Sequence, residues 1–285
     1  MTPEEEIKQA GIQYDADQVG IASVAAINRY APPGHRPDDI LKGAKSVIVL
    51  AGHMTLKGAW QSPDQRSIAA NRVFPRTGSG VAAAVARFIE SKFGYYSVGE
   101  TPAPTGFNPS LSLKLCAEMA GLGTRSMAAG ILLNEKLGML SLAAGITTMP
   151  LKADGPLKEP VCPHPSCMKL WEKQQVTPCL ETCPECLSGE LAEDKIKWMR
   201  YDRRICSTRA QTTGTGAFLR MLVECFNEPD PEIRRNILLG SFSRNTIQAI
   251  TANAAVGQCS ECLRNCPIYL RTRNLKEKIL DPQPL

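Results

Sequence analysis

The sequence predicts an α/β domain over residues 1–155 followed by a cysteine-rich domain over residues 156–285. Strand-like and helix-like segments alternate through the first 150 residues, the pattern of a layered α/β unit. Ten of the eleven cysteines then fall between Cys162 and Cys266, with only Cys116 ahead of them. Between the two regions, residues 152–165 are rich in Pro, Lys and other charged groups and read as the junction.

The elements follow from local chemistry. Residues 4–11 read as a short helix and residues 19–24 as a strand or strand end. The Pro32, Pro33, Gly34 and His35 run marks a loop. Residues 45–51 are a β-branched apolar run, consistent with a strand buried on both faces. Small and apolar residues at helical spacing (Val81, Val85, Phe88, Ile89) predict a helix over 78–93, stopped by Gly94. Residues 95–98 read as a strand, 102–109 as a loop, 111–120 as a helix and 143–149 as a strand closed by Pro150. Beyond the junction, the sequence predicts cysteine-rich loops with helices, the clearest over 217–227 and 231–239.

Composition narrows the function classes. A hydrophobic fraction of 43% and a charged fraction of 21% are ordinary for a globular chain. The net charge of +5 is spread along the chain, so neither nucleic acid nor an acidic membrane is indicated as a partner, and 6% aromatic content argues against a base-stacking surface. No stretch approaches the roughly 18 uninterrupted apolar residues of a membrane span. The opening MTPEEEIKQAG lacks an apolar signal core, which leads to the expectation of a cytoplasmic protein. In that reducing compartment, crowded cysteines point to metal rather than to disulfides.

Two cysteine segments repeat one pattern. Cys179-Leu-Glu-Thr-Cys183-Pro184 matches Cys262-Leu-Arg-Asn-Cys266-Pro267 at every Cys, Leu and Pro, and Cys259 precedes the second copy to give C-x2-C-x3-C-P. This is the bacterial ferredoxin spacing, in which a tight loop wraps one cluster and the Cys before Pro crosses to the other. In the first copy, Val176 stands where a close thiolate would be, and Cys162 and Cys167 lie farther upstream. The expected ligand sets are Cys162, Cys167, Cys179 and Cys266 for one [4Fe–4S] cluster, and Cys183, Cys206, Cys259 and Cys262 for the second. Cys206 enters because the second set needs a fourth thiolate. Cys186 is the spare and could exchange roles with Cys183. Cys116 and Cys225 have apolar neighbours at helical spacing and read as core residues. Two four-thiolate zinc sites are the alternative, but zinc motifs come as paired C-x2-C knuckles rather than C-x3-C-P repeats.

This cysteine order resembles the double-cluster domain of epoxyqueuosine reductases and reductive dehalogenases. The resemblance continues upstream through Ala120-Gly-Leu-Gly123, Gly130-Ile-Leu-Leu-Asn134, Leu137-Gly138 and Ile146-Thr-Thr-Met-Pro-Leu151. Asp17-Gln-Val-Gly-Ile-Ala22 and Gly43-Ala-Lys-Ser-Val-Ile-Val-Leu-Ala51 are similar to that family's opening segments. The resemblance implies a nitroreductase-like domain that binds cobalamin base-off, followed by a ferredoxin-like domain that passes it electrons. Its implied corrinoid contacts are Gly121, Gly123, Arg125, Gly130, Leu132 and Asn134. Three departures stand out. Residues 106–112 (GFNPSLS) carry no carboxylate where the family has an acidic proton donor. Residues 125–130 (RSMAAG) replace its Gly-Lys-Asn or Gly-Arg-Asn, and Met149 stands where Asp is usual. The catalytic proton donor is therefore unassigned, with His53, Tyr95, Tyr96 and Arg125 as candidates. The expected activity is a cobalamin-dependent iron–sulfur reductase acting on a small organic substrate and fed by an external donor of ferredoxin or flavodoxin type. The alternatives are an electron-transfer protein that reduces or carries a corrinoid for a partner enzyme, and a cluster protein whose first domain has lost cobalamin and binds another cofactor such as flavin.

Overall fold

The computed structural model describes residues 1–53, 58, 74–100, 110–203, 205–206, 214–240, 243 and 261–269. The chain enters through α1 (Pro3–Gln13), which is fixed at its start by a capping box: the Glu5 N–H donates to Thr2 Oγ1 at 3.3 Å and the Thr2 N–H to Glu5 Oε2 at 2.8 Å. Then come β1 (Gln18–Ser23), the short helices α2 (Val24–Asn28) and α3 (Pro37–Ile40), β2 (Ser46–His53), and the long α4 (Phe74–Phe93), which stops at Gly94 with φ 73°. β3 (Ser97–Glu100), α5 (Leu113–Met119), β4 (Thr124–Arg125), β5 (Leu132–Asn134) and β6 (Gly138–Thr147) complete this half.

These strands form one sheet around β6, whose ten residues are all buried. β2 runs antiparallel along one edge of β6, pairing Ser46 with Thr147 through His53 with Leu140. The other edge is shared by β3, against residues 144–147, and β5, against residues 138–139. β1 extends the sheet beyond β2, and β4 extends it beyond β5. Every pairing is antiparallel. An unbroken apolar strand often marks a parallel sheet; here β2 needs apolar residues on both faces because helices cover both sides. Val47, Val49 and Ala51 pack with α2 and α5 (Ile27, Leu113, Cys116), while Ile48 and Leu50 pack with α1 and α4 (Ile7, Val85, Ile89). The period-two alternation of a strand thus serves two separate cores.

The cysteine-rich half holds α6 (Pro165–Gln174), α7 (Pro178–Thr182), a hairpin of β7 (Leu187–Ala192) and β8 (Lys195–Tyr201), α8 (Gly214–Asn227), α9 (Pro231–Leu239) and α10 (Glu261–Arg264). Its first helix and its hairpin lie where the sequence suggested loops. The predicted strand over 95–98 begins two residues later, and that over 143–149 is the second half of the longer β6. The loop expected over 102–109 falls outside the described residues.

The two halves share apolar packing. Met127, Ala128, Ile131, Leu133 and Met139 belong to the same buried cluster as Cys162, Cys179, Cys183, Cys186, Cys206, Cys262 and Cys266. The junction is further tied by the Val161 N–H to Thr124 Oγ1 at 2.8 Å, and by Asp154, which accepts from the Ile21 N–H at 2.7 Å and from Lys8 Nζ at 2.5 Å.

Candidate metal centre and the face beside it

The repeated segments fold alike. Each places its Cys-Leu pair on one turn of helix, α7 for Cys179 and Leu180, α10 for Cys262 and Leu263. The two leucines are buried in the shared cluster, and Asn265 Nδ2 reaches Thr182 Oγ1 at 3.3 Å across the pair. Leucine is therefore the packing element of the repeat, and the cysteines at either end are carried with it.

The thiols gather in two groups, each drawing from both copies of the repeat. Cys162, Cys167, Cys179 and Cys266 line one cavity, with Met127, Thr177 and Ile268 among its walls. Burial pushes the Cys162 thiol up to about 12; the Met127 N–H, directed at its sulfur, opposes this, and the charges of Cys179, Cys266 and Cys167 add to it. Cys167 and Cys179 are both pushed up to about 11, again by burial first. Thr177, itself buried, places Oγ1 3.2 Å from Cys179 Sγ. α6 supplies Cys167, its start capped by His164 Nδ1, which accepts from the Ser166 N–H at 3.2 Å.

Cys262 sits in the second group. Burial raises its thiol, and the charges of Cys183, Cys179, Cys206 and Cys186 raise it further. Cys183 thus lies with the far copy's Cys262, as Cys266 lies with the far copy's Cys179. Cys186 is also here, held by its own turn: its Sγ donates to Cys183 O at 3.8 Å, and the Asp202 N–H donates to Cys186 O at 2.8 Å. Cys206 is placed by the turn Asp202 begins, where the Cys206 N–H donates to Asp202 O at 3.1 Å and the Ile205 N–H to Asp202 Oδ1 at 3.0 Å. Cys259 lies outside the described residues.

Tyr201, the last residue of β8 and paired with Leu187, faces this second group. Its hydroxyl is buried and completes no hydrogen bond among the described residues, although it is directed at Cys206 with Cys186 and Cys262 beyond. Nothing in the sequence marked it, since the hairpin that positions it was itself unforeseen. Cys116, buried in the sheet core, and Cys225, whose Sγ donates to Arg234 O at 3.9 Å, stand apart from both groups.

Among the described residues, no three Cys, His, Asp or Glu side chains converge closely enough to hold a single metal ion. The thiols do suit a larger iron–sulfur unit: they are buried, sulfur-only and multiple, and an orphaned hydroxyl donor points among them. Holding several thiolates in so apolar a setting requires positive charge, which iron would supply.

The implied corrinoid contacts are placed differently. A Cβ on Gly121 (φ 68°) would meet Gly155 O at 2.6 Å, and one on Gly123 would meet Leu133 O at 2.4 Å. Both glycines thus admit neighbouring backbone of this chain. Gly130 (φ 61°) abuts Met199 and accepts from Lys114 Nζ at 3.3 Å, and Leu132 is in the sheet core. Asn134 is saturated: its amide donates to Leu122 O at 2.6 Å and Gln18 Oε1 at 2.8 Å, and its Oδ1 accepts from the Lys136 and Leu137 N–H groups. Arg125 alone of the six sends its side chain to an open face. Its Nε donates to Glu118 Oε2 at 2.8 Å beside an open pocket of about 390 Å³ walled by Tyr30, Met119, Gly123 and Leu157. Of the proton-donor candidates, Tyr95 and Tyr96 lie on the surface before β3, with Tyr96 76% exposed, and His53 ends β2.

No family model matches the chain, and no curated protein is similar to it in sequence. Solved structures do match in fold. A selenomethionine-labelled epoxyqueuosine reductase superposes with a TM-score of 0.57 at 17% identity, over 94% of this chain and 65% of that one. The enzyme from Bacillus subtilis gives 0.54 at 16% identity, over 93% and 65%. An epoxyqueuosine reductase bound to a tRNA-Tyr stem loop gives 0.56 at 18% identity, over 95% and 81%. Reductive dehalogenases also align, one at a TM-score of 0.38, a likeness too slight to argue from. This chain thus has the mixed α/β fold of epoxyqueuosine reductases, as its motifs suggested, and spans about 65% of the length of the first of these relatives.

Proposed function

We propose that this protein is an iron–sulfur reductase in which two [4Fe–4S] clusters pass electrons to a base-off corrinoid that reduces a small organic substrate. The observation that carries the reading is the crossed gathering of thiols, with Cys266 lining one cavity with Cys162, Cys167 and Cys179, and Cys183 nearest in charge to the far copy's Cys262 within the same buried core as Cys206. Such crossing holds two clusters close together, which suits stepwise electron transfer, and thiolate-ligated clusters reach the low potentials that cobalt reduction needs. Cys259 completes the second set. The likeness to epoxyqueuosine reductases and the motifs over residues 120–151 support a corrinoid, and among the described residues the open pocket beside Arg125 and Glu118 is a candidate face for it. A soluble ferredoxin or flavodoxin would supply the electrons, and a cytoplasmic setting would keep the thiols reduced.

The commitment of Gly121, Gly123, Leu132 and Asn134 to contacts within the chain favours a second reading, an electron-transfer protein that reduces or carries a corrinoid for a partner enzyme. Calorimetric titration of iron-replete protein with hydroxocobalamin tests the first: saturable binding supports it, and no heat above background removes cobalamin from the account. If cobalamin binds, turnover without any partner protein then separates reductase from carrier.

A further inference from the structure

The Tyr201 hydroxyl is a buried donor that is directed at the Cys206 thiol but completes no hydrogen bond among the described residues, and an unmet group of this kind costs about 1–3 kcal/mol. Three constraints hold it in place. Strand pairing with Leu187 fixes its backbone, the next residue is bonded to Cys186 O, and the ring packs against the cysteine core. A bond to a protonated thiol is a weak return for such confinement, whereas a thiolate or an inorganic sulfide is a strong acceptor. The other group has its own hydroxyl, Thr177, 3.2 Å from Cys179 Sγ.

We infer that Tyr201 is a positioning residue whose hydroxyl donates a hydrogen bond to a sulfur of the second cluster and thereby raises that cluster's reduction potential, while Thr177 does the same for the first. A donor at a cluster sulfur stabilises the extra negative charge of the reduced state, so each hydroxyl makes its own cluster easier to reduce. The pair would set the order in which the two clusters fill. This inference rests on the proposal that the thiols hold clusters.

The test is an anaerobic redox titration followed by electron paramagnetic resonance on wild-type, Tyr201→Phe and Thr177→Val proteins, each assayed for iron and sulfide. Tyr201→Phe is expected to keep its iron and to shift one midpoint to more negative potential. Thr177→Val is expected to shift the other midpoint in the same direction. Unchanged midpoints in Tyr201→Phe with full iron would overturn the inference. Should the phenylalanine variant lose iron, Tyr201→3-fluorotyrosine, a stronger donor of similar shape, decides: a positive shift of the same cluster supports the inference, and no shift overturns it. Wild-type protein without a second cluster would instead overturn the proposal beneath it.

Discussion

Cys266→Ser should disturb the cluster assigned to Cys162, Cys167 and Cys179 and spare the one assigned to its sequence neighbour Cys262, because its thiol lies in the cavity of the first group. Mössbauer spectra of the variant would show which cluster is lost. Cys183→Ser should lower the iron of the second cluster, whereas Cys186→Ser should leave both clusters at full iron. The reverse pair of results would exchange their roles, since both thiols are buried in that group. Cys116→Ser should retain all iron and destabilise the protein by about 1–3 kcal/mol in denaturant unfolding, as it puts a hydroxyl into the sheet core. The nearness of Cys266 to Cys162, Cys167 and Cys179 was expected from the repeated Cys-Leu-x-x-Cys-Pro, because the spacing of a repeat is a local property of the chain. The roles of Gly121, Gly123 and Asn134 could not be read in this way. Their partners, Gly155, Leu133 and Gln18, are brought to them by folding, and a glycine that admits backbone looks in sequence like one that admits a ligand.

Burial raises the thiols of the first group, and that fixes a pH dependence. Their folded values of about 11 to 12 exceed the ordinary 9.0, so in the metal-free protein they favour folding below about pH 9 and lose that contribution as pH rises through 11 to 12. Iron must displace those protons, so cluster retention runs the other way and weakens as pH falls. Loss of the visible absorbance to a chelator should therefore be faster at pH 6 than at pH 8. At the level of elements, the β7–β8 hairpin turns through Glu193 and Asp194, both left-handed at φ 51° and 58°. Those two turn positions offer neither Asn nor Gly, which is why the hairpin was not legible in the sequence. Glu193→Asn combined with Asp194→Gly should relieve strain and stabilise the protein by about 1 kcal/mol in denaturant unfolding, without changing iron content. The apolar run of β2, by contrast, announced a strand buried on both faces, because each face needs its own apolar set wherever helices cover both.

Over the whole molecule, the boundary foreseen at 155/156 is a change of composition, while the packing runs through it. Met127, Ala128, Ile131, Leu133 and Met139 belong in sequence to the α/β half and in space to the cysteine core, while Leu132 between them faces the sheet core. Removing iron should therefore loosen that stretch together with the cysteine segments, visible as faster amide exchange over 127–139 while β2 stays protected. The proposed electron transfer requires that each of the two thiol groups hold a four-iron cluster. Iron and acid-labile sulfide analysis of protein purified anaerobically tests this most directly, with about eight of each per chain expected. Two equivalents of zinc with no sulfide would contradict it.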